Sequence, residues 1–360
     1  MKKIKIAIVG IGNCASSLIQ GMYFYRNTTK KGSVVGLRYR SLGGYKPSDI
    51  KVVAAFDIDM RKVGKDVSEA IFAQPNNTAI FCSKIPLLRV PVFRGPTFDG
   101  LPAHMVEFPD ESRFIESKEN PVDVVAILKQ TRPDFVVNYL PVGSQQATEH
   151  YANCCLEAGV SLINAIPVFI ASNPAWVRLF KQKGLMVLGD DIKAQVGATI
   201  LHRRLIDTFL KRGAKIDQTY QLNIGGNTDF LNMRNEARVE LKRESKVSSI
   251  RTLFKGTGGK IYAGPSDYVS FLGDHKIAYI RVEGRIFGGL PVEAELRLSV
   301  EDSPNSAGMM IDLIRAAQCA RKCGKAGTIT ELCAFAFKHP LVAVDDDKAE
   351  ESFDRWVTCL

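Results

Sequence analysis

Hydrophobic residues run together over Ile4–Val9, stop at Gly10, and recur at helical spacing as Leu18, Ile19 and Met22 within residues 16–25. A buried strand, a tight turn and a helix are predicted in that order. A polar, glycine-rich insertion over residues 27–48 precedes a second apolar run, 52–56, which ends at Asp57. Residues 74–109 are rich in proline and lack a period, so a long excursion over the surface, a flap, is expected there. Regular alternation then resumes, with strands at 135–140, 160–164 and 185–188 and helices at 145–158 and 175–182. Apolar strands alternating with helices specify an α/β fold with a doubly wound, Rossmann-type parallel sheet.

From about Gln218 the rhythm changes. Tyr220, Leu222 and Ile224 alternate with polar residues, and so do Val292, Ala294, Leu296, Leu298 and Val300. Period two with one polar face predicts an antiparallel, half-exposed sheet. Ser303 and Pro304 form an N-cap and N1 pair for a following helix in which Met310, Ile314 and Ala317 share a face. That helix is expected to return to the first sheet. The partition expected from these changes is 1–200, 201–304 and 305–360.

Composition narrows the class. The 360 residues are 46% hydrophobic and 24% charged, and no apolar run approaches the ~18 residues of a membrane span. Lys2 and Lys3 lead into a run too short for a secretory signal, so a cytoplasmic location is expected. The eight cysteines include the adjacent Cys154 and Cys155 and the spaced Cys319 and Cys323, but no paired metal-ligand spacing, and read as reduced structural thiols. The formal charge of +10 is dispersed rather than gathered into a tail or block. A small anionic ligand is therefore expected, not nucleic acid or a membrane.

Gly10-Ile11-Gly12-Asn13-Cys14-Ala15 matches Gly-x-Gly-x-x-Ala between strand and helix. Gly10 allows the turn, Gly12 lets a pyrophosphate approach, and Ala15 lets the helix pack closely. Asp57, ending the next strand, would bind the adenosine ribose and repel a 2′-phosphate, so NAD is expected over NADP. Its distance from Gly12 exceeds the usual ~20 residues, and the 27–48 insertion accounts for the excess. Residues 138–144 end another strand and are expected to line the nicotinamide. Polar residues also concentrate at 189–193, 225–229, 242–246, 273–276 and 301–306, with Lys338 beyond. Lys242 and Lys246, one helical turn apart, repel each other unless an anion lies between them. A partly buried lysine can exchange protons or stabilise an oxyanion, and neighbouring aspartates can orient it.

The stretches GIGNCASSL, VVAAFDID, VNYLPVGS, INAIPVFIASNP, GDDIKAQVGAT, GGNTDFLNM, GPSDYVSFLGDHK, EGRIFGG and EDSPNSAG together resemble the myo-inositol-phosphate synthase family in its short bacterial and archaeal form, from residue 4 to about 340. The resemblance implies an isomerase (intramolecular lyase) of inositol and phospholipid biosynthesis that uses NAD catalytically on glucose 6-phosphate. C5 is oxidised, the ring closes by an intramolecular aldol step, and the ketone is reduced again. The family's catalytic residues map onto Lys242, Lys246, Lys276, Lys338, Asp191, Asp229 and Asp302. Its cofactor contacts fall on Gly10, Gly12, Asn13, Cys14, Ala15, Asp57, Leu140, Pro141, Ser144, Asp190, Lys193 and Ser303, and its substrate contacts on Asn227, Asn232, Ser245 and Asp274. It further implies a homotetramer, built on a second domain like that of glyceraldehyde-3-phosphate dehydrogenase, and a monovalent or divalent cation whose ligands no motif specifies. Leu241, Glu244 and Ala194 depart from the family pattern. The rival reading, a net NAD-dependent dehydrogenase of a small phosphorylated or semialdehyde substrate, needs a nucleophilic cysteine or a catalytic histidine, and none is well placed. A dinucleotide-binding DNA regulator lacks a basic recognition helix.

Overall fold

The computed structural model describes residues 3–27, 34–254 and 259–358, so residues 28–33 of the expected insertion lie outside it. The first half alternates as anticipated. Strands β1 (Ile4–Val9), β2 (Ile50–Asp57), β3 (Val92–Arg94), β4 (Phe135–Asn138), β5 (Ser161–Asn164) and β6 (Val187–Leu188) form one parallel sheet in the order β3-β2-β1-β4-β5-β6. Helices α1 (Asn13–Phe24), α2 (Val67–Ala70), α3 (Val124–Thr131), α4 (Gln145–Ala158) and α5 (Pro174–Gln182) connect or flank them. Ile6 and Ile8 of β1 pack to one side and Ala7 and Val9 to the other, all nearly inaccessible. Burial on both faces is why these strands read as continuous apolar runs. The order reverses between β1 and β4, and a ligand cleft opens at the carboxyl ends of such strands.

The 74–109 excursion is more than a flap. It contributes β3, which pairs with β2 from Ala55↔Val92 to Asp57↔Arg94. Only three residues long and close to Pro91 and Pro96, this strand leaves no period to read, and its outer side is bonded in turn, Val92 N–H donating to the Lys65 carbonyl and Gly64 N–H to the Val92 carbonyl, each at 2.9 Å.

Helix α6 (Ala198–Lys211) leads into the second sheet, formed by β7 (Lys215–Gly225), β8 (Lys260–Tyr268), β9 (His275–Arg285) and β10 (Pro291–Glu301) in the order β10-β9-β7-β8. This sheet is mixed rather than antiparallel. Helices α7 (Thr228–Asn232) and α8 (Glu236–Arg251) lie between β7 and β8, and such a crossover brings the chain back parallel. The alternation on β7 is also inverted relative to expectation. Its polar Thr219, Gln221 and Asn223 are buried, whereas Tyr220, Leu222 and Ile224 are half-exposed on the side away from α6 and α8. On β10 the apolar set does face inward, where Leu296 and Leu298 pack with Ala278, Ile280 and Leu201.

Helix α9 (Asp302–Lys322) starts before the expected Ser303-Pro304 pair, and its N-cap, Glu301, makes no side-chain capping bond. Asp274, at the foot of β9, caps it from outside: its carboxylate accepts from Ser303 N–H at 3.1 Å and Ser303 Oγ at 3.0 Å. The helix is buried on nearly every side rather than along one stripe. Ile311 meets α1 at Gly21, where a Cβ would come within 3.0 Å of it. Arg315, wholly buried, donates to the carbonyls of Tyr39, Arg40 and Tyr45 and pairs with Asp312. Helices α10 (Thr330–Ala336) and α11 (Asp346–Thr358) complete the chain. Among the described residues no helix is long and apolar enough to cross a membrane.

Candidate active site

A single cleft runs from the glycine turn, past Leu140 and Pro141, to the polar clusters of the second half. Gly10 has φ +87°, and a Cβ there would lie 2.6 Å from the Tyr139 carbonyl, so the turn demands glycine twice over. Gly12 differs: a Cβ would meet no protein atom within 4 Å and would project into the cleft. Ala15 is fully buried behind the turn. Asp57 lines the cleft and accepts from Ile11 N–H at 2.6 Å, Ile58 N–H at 2.7 Å and Asp59 N–H at 2.8 Å. Cys14 faces the cleft beside Ser303 and Ser306, and burial pushes its thiol up to about 12. It remains a neutral thiol at physiological pH.

Sequence reasoning missed Lys62, which is 1% exposed and donates to the Ile11 carbonyl and Asn76 Oδ1, each at 2.9 Å. Asn13 is engaged with protein on all sides. It accepts from the Asn77 and Thr78 amides at 2.8 and 3.1 Å and donates to Asn77 Oδ1 at 2.8 Å and Asp274 Oδ1 at 3.2 Å. It thereby stitches the glycine turn to the excursion and to the second half.

The chemistry gathers around Asp191, a non-glycine residue at φ +62°, the kind of backbone outlier that clusters at functional sites. Lys338 and Lys242 donate to its Oδ1 at 2.8 and 3.2 Å, and Ser245 Oγ donates to Oδ2 at 2.8 Å. Burial works against this carboxylate, but the two lysines outweigh it and hold its pKa well below the usual range. Lys276 pairs with Asp302. Lys246 is buried and finds no hydrogen-bond partner among the described residues. Desolvation and the nearby Lys242, Lys338 and Lys276 hold its pKa far below that of an ordinary lysine. Burial also brings Lys338 and Lys193 down to about 8. Lys193 Nζ donates to the Ala334 carbonyl at 2.8 Å.

Lys193, Lys242, Lys246, Lys276 and Lys338 line the cleft with Asp191, Asp229 and Asp302. Five lysines against three aspartates leave a surplus of two positive charges when all are ionised. Burial depresses Lys193, Lys246 and Lys338 first, the crowding of positive charge adds to it, and a dianionic ligand would relieve that crowding.

Other expected residues stand behind this surface. Ser144 is buried under Arg238, whose Nη2 approaches its Oγ at 3.3 Å. Asp190 points away and accepts from Asn164 at 2.8 Å and from the Ala171 and Ser172 amides at 3.1 and 3.0 Å, and burial lifts it to about 7. Asn232 donates to the Val142 carbonyl at 2.9 Å. Asp274, lifted to about 6 by burial and Asp302, joins Asn13, Ser303 and Asn227, which donates to it at 2.8 Å. Asn227 lines the cleft and caps α7, and Ser303 lines it at the start of α9. Ser144, Asp190, Asn232 and Asp274 position the wall, whereas Asn227 and Ser303 form part of it.

The structure adds residues to which no role was assigned from the motifs. Gln221 and Asn223 of β7 reach the cleft, as do Gly197, Ala198, Thr199 and Ile200. The latter are the N-terminus of α6, which no side chain caps, so backbone N–H groups and the helix dipole face the opening. His275, by contrast, approaches Ser299 Oγ at 2.5 Å, and no histidine lines the cleft among the described residues. Nor do three His, Cys, Asp or Glu side chains there group as a metal site would.

Comparison with known proteins identifies the family. A family model described as myo-inositol-1-phosphate synthase matches residues 197–303. The chain is 47% identical to the inositol-3-phosphate synthase of Mycolicibacterium smegmatis, covering 99% of this chain and 98% of that one. It is 44% identical to that of Corynebacterium glutamicum, covering 98% of each. The crystal structure of a myo-inositol-1-phosphate synthase-related protein from Thermotoga maritima superposes with a TM-score of 0.78 at 25% identity, over 99% of this chain and 98% of that one. With near-complete coverage at this identity, and with the fold shared across the whole chain, the chain belongs to the myo-inositol-1-phosphate synthase family.

Proposed function

We propose that this protein is an inositol-3-phosphate synthase, an isomerase that converts D-glucose 6-phosphate to 1D-myo-inositol 3-phosphate in the cytoplasm, and thereby serves inositol and phospholipid biosynthesis. The observation that carries this reading is the cluster of lysines around Asp191, in a cleft that begins at a dinucleotide turn.

The turn suits NAD. Gly12 leaves open space where a pyrophosphate would approach, the N-terminus of α1 points at it, and Asp57 at the end of β2 meets the ribose and disfavours an extra phosphate. Leu140 and Pro141 would flank the nicotinamide. When bound, NAD would supply the hydride chemistry at C5, as acceptor in the oxidation and donor in the reduction. Lys338 accepts the O5 proton during oxidation and gives it back on reduction. The C5 ketone acidifies C6, and Lys242 and Lys276 stabilise negative charge on O5 and O1 as the enolate forms and C6 attacks C1. The proton lost from C6 passes to a neutral amine of the lysine cluster, and the ammonium so formed gives it to the O1 alkoxide, so protons balance within the site. Lys246 and the N-terminus of α6 receive the substrate phosphate. Asp191, Asp229 and Asp302 orient the ammonium groups. The family's monovalent or divalent cation carries over as an expectation, tested by activity after chelation and desalting.

The test is incubation of glucose 6-phosphate with a catalytic amount of NAD, followed by phosphorus NMR. Inositol phosphate should form without net NADH. Stoichiometric NADH would instead favour the dehydrogenase reading. Gly12→Ala should leave stability within about 1 kcal/mol, because its Cβ meets no protein atom, yet weaken NAD binding at least about ten-fold by calorimetry.

The partition 1–200, 201–304 and 305–360 is kept as part of this reading, as is a homotetramer. The outward side of the mixed sheet sets Tyr220 beside Tyr262 and Leu222 beside Tyr279, with Tyr262 46% and Tyr279 41% exposed. A second copy of the chain would cover these aromatic residues, which lie beside the Arg281, Glu283, Glu293 and Glu295 ion pairs on the same side. Tyr262→Glu with Tyr279→Glu should reduce the mass measured by light scattering. An unchanged mass would count against this face.

A further inference from the structure

His339 directly follows Lys338, yet its side chain faces a second, smaller cavity on the far side of the wall. Lys193, Arg203, Ser248 and Lys338 also line that cavity. The imidazole stacks on Phe169 with centroids 4.1 Å apart and planes 13° apart. Its Nδ1 lies 3.0 Å from Ser248 Oγ. Its backbone pairs with Asp190 in both directions at 3.1 Å, and Lys338 N–H donates to the Asp191 carbonyl at 2.8 Å. Residue 339 is thus fixed by a ring stack, a side-chain bond and a backbone pair.

Ser248 belongs to α8, the helix that carries Lys242 and Lys246, and lies one turn beyond Ser245, which holds Asp191. The Ser248 hydroxyl donates to the Ser245 carbonyl at 3.0 Å. A hydroxyl has one hydrogen, so the imidazole must supply the proton of the His339–Ser248 bond. The neutral ring therefore carries its proton on Nδ1. Burial lowers the ring's pKa from its ordinary value, against the pull of Glu244 and Asp191, while Lys193, Arg203 and Lys338 line the same cavity.

We propose that His339 is a positioning residue for the reaction: through Ser248 it clips the segment bearing Lys338 to helix α8, fixing that amine against Asp191 and opposite Lys242 and Lys246. The inference rests on the synthase reading. Its consequence is that the distance between proton shuttle and oxyanion stabilisers is set from behind the cleft, by residues that touch neither substrate nor cofactor.

The test compares His339→Ala and Ser248→Ala with His339→Asn, whose side-chain N–H can replace Nδ1–H. Turnover of glucose 6-phosphate with catalytic NAD is followed from about pH 6 to about pH 10. Both alanine variants should lose about ten-fold in kcat with KM nearly unchanged, their acid limb should move, and His339→Asn should recover most of the rate. Independently of turnover, the pH dependence of reductive methylation at Lys338, read by mass spectrometry, should shift in the alanine variants and return in His339→Asn. Wild-type rates with wild-type Lys338 titration in both alanine variants would overturn the proposal. An inactive wild-type enzyme would sink the synthase reading, with the methylation profile still deciding the clip. Should His339→Ala not fold, Ser248→Ala alone decides.

Discussion

Asp191→Asn should lower turnover by about 10³-fold and cost about 3–5 kcal/mol of stability at neutral pH. The carboxylate is 1% exposed and is shared by Lys242, Lys338 and Ser245. Asparagine would keep the shape but leave buried ammonium groups without their anion. Its native pKa is depressed, so the stabilisation is present above the ordinary carboxylate range and is lost only as pH falls through the lower native value. The deficit of the variant should therefore persist through mildly acidic conditions. Chemical denaturation across pH measures this. A variant as stable as wild type would show that Asp191 is not the electrostatic centre of the cluster.

Lys338→Ala should abolish measurable turnover, a loss of about 10³-fold or more, and with it the acid limb of the pH profile. Burial brings this amine down to about 8. If it accepts the O5 proton it must be neutral, so kcat/KM should rise as pH increases through about 8. Lys193 titrates in the same range, so the limb must survive Lys193→Gln for the assignment to hold. The phosphate dianion favours charged lysines, so the limb in kcat should lie at higher pH than that in kcat/KM. Because the native pKa lies below the unfolded one, the unfolded chain binds more protons between the two values. Stability should therefore rise with pH between about 8 and the ordinary lysine range.

How much of this was legible in the sequence follows from how each feature is encoded. The glycine turn, β1, β2 and the exact span of α4 announce themselves through local chemistry and continuous apolar runs. The lysines were visible through resemblance, and the fold brings Lys242, Lys246, Lys276 and Lys338 to one cleft. What escaped depends on partners distant in the chain. Lys62 looks like any surface lysine until Ile11 and Asn76 close over it. Asp190 and Asp191 are adjacent and chemically identical, yet one faces the loop at Asn164 and the other the cleft. The mixed character of the second sheet was hidden because a helical crossover, not a strand pattern, decides strand direction. Gln221 and Asn223 carried a signal that was misread: polar residues at every second position were assigned to solvent, when a polar cleft can claim them equally.

That inverted strand has a consequence for inheritance. On β7 the inward positions serve chemistry and the outward ones an apolar surface, so neither side is free to drift. A saturation scan along residues 218–224 should record two different penalties in strict alternation. Substitutions at Gln221 or Asn223 should yield protein that accumulates but does not turn over. Those at Tyr220, Leu222 or Ile224 should change solubility or mass while sparing the reaction. A lineage exploring new substrates could rewrite one register of this strand and leave the other untouched.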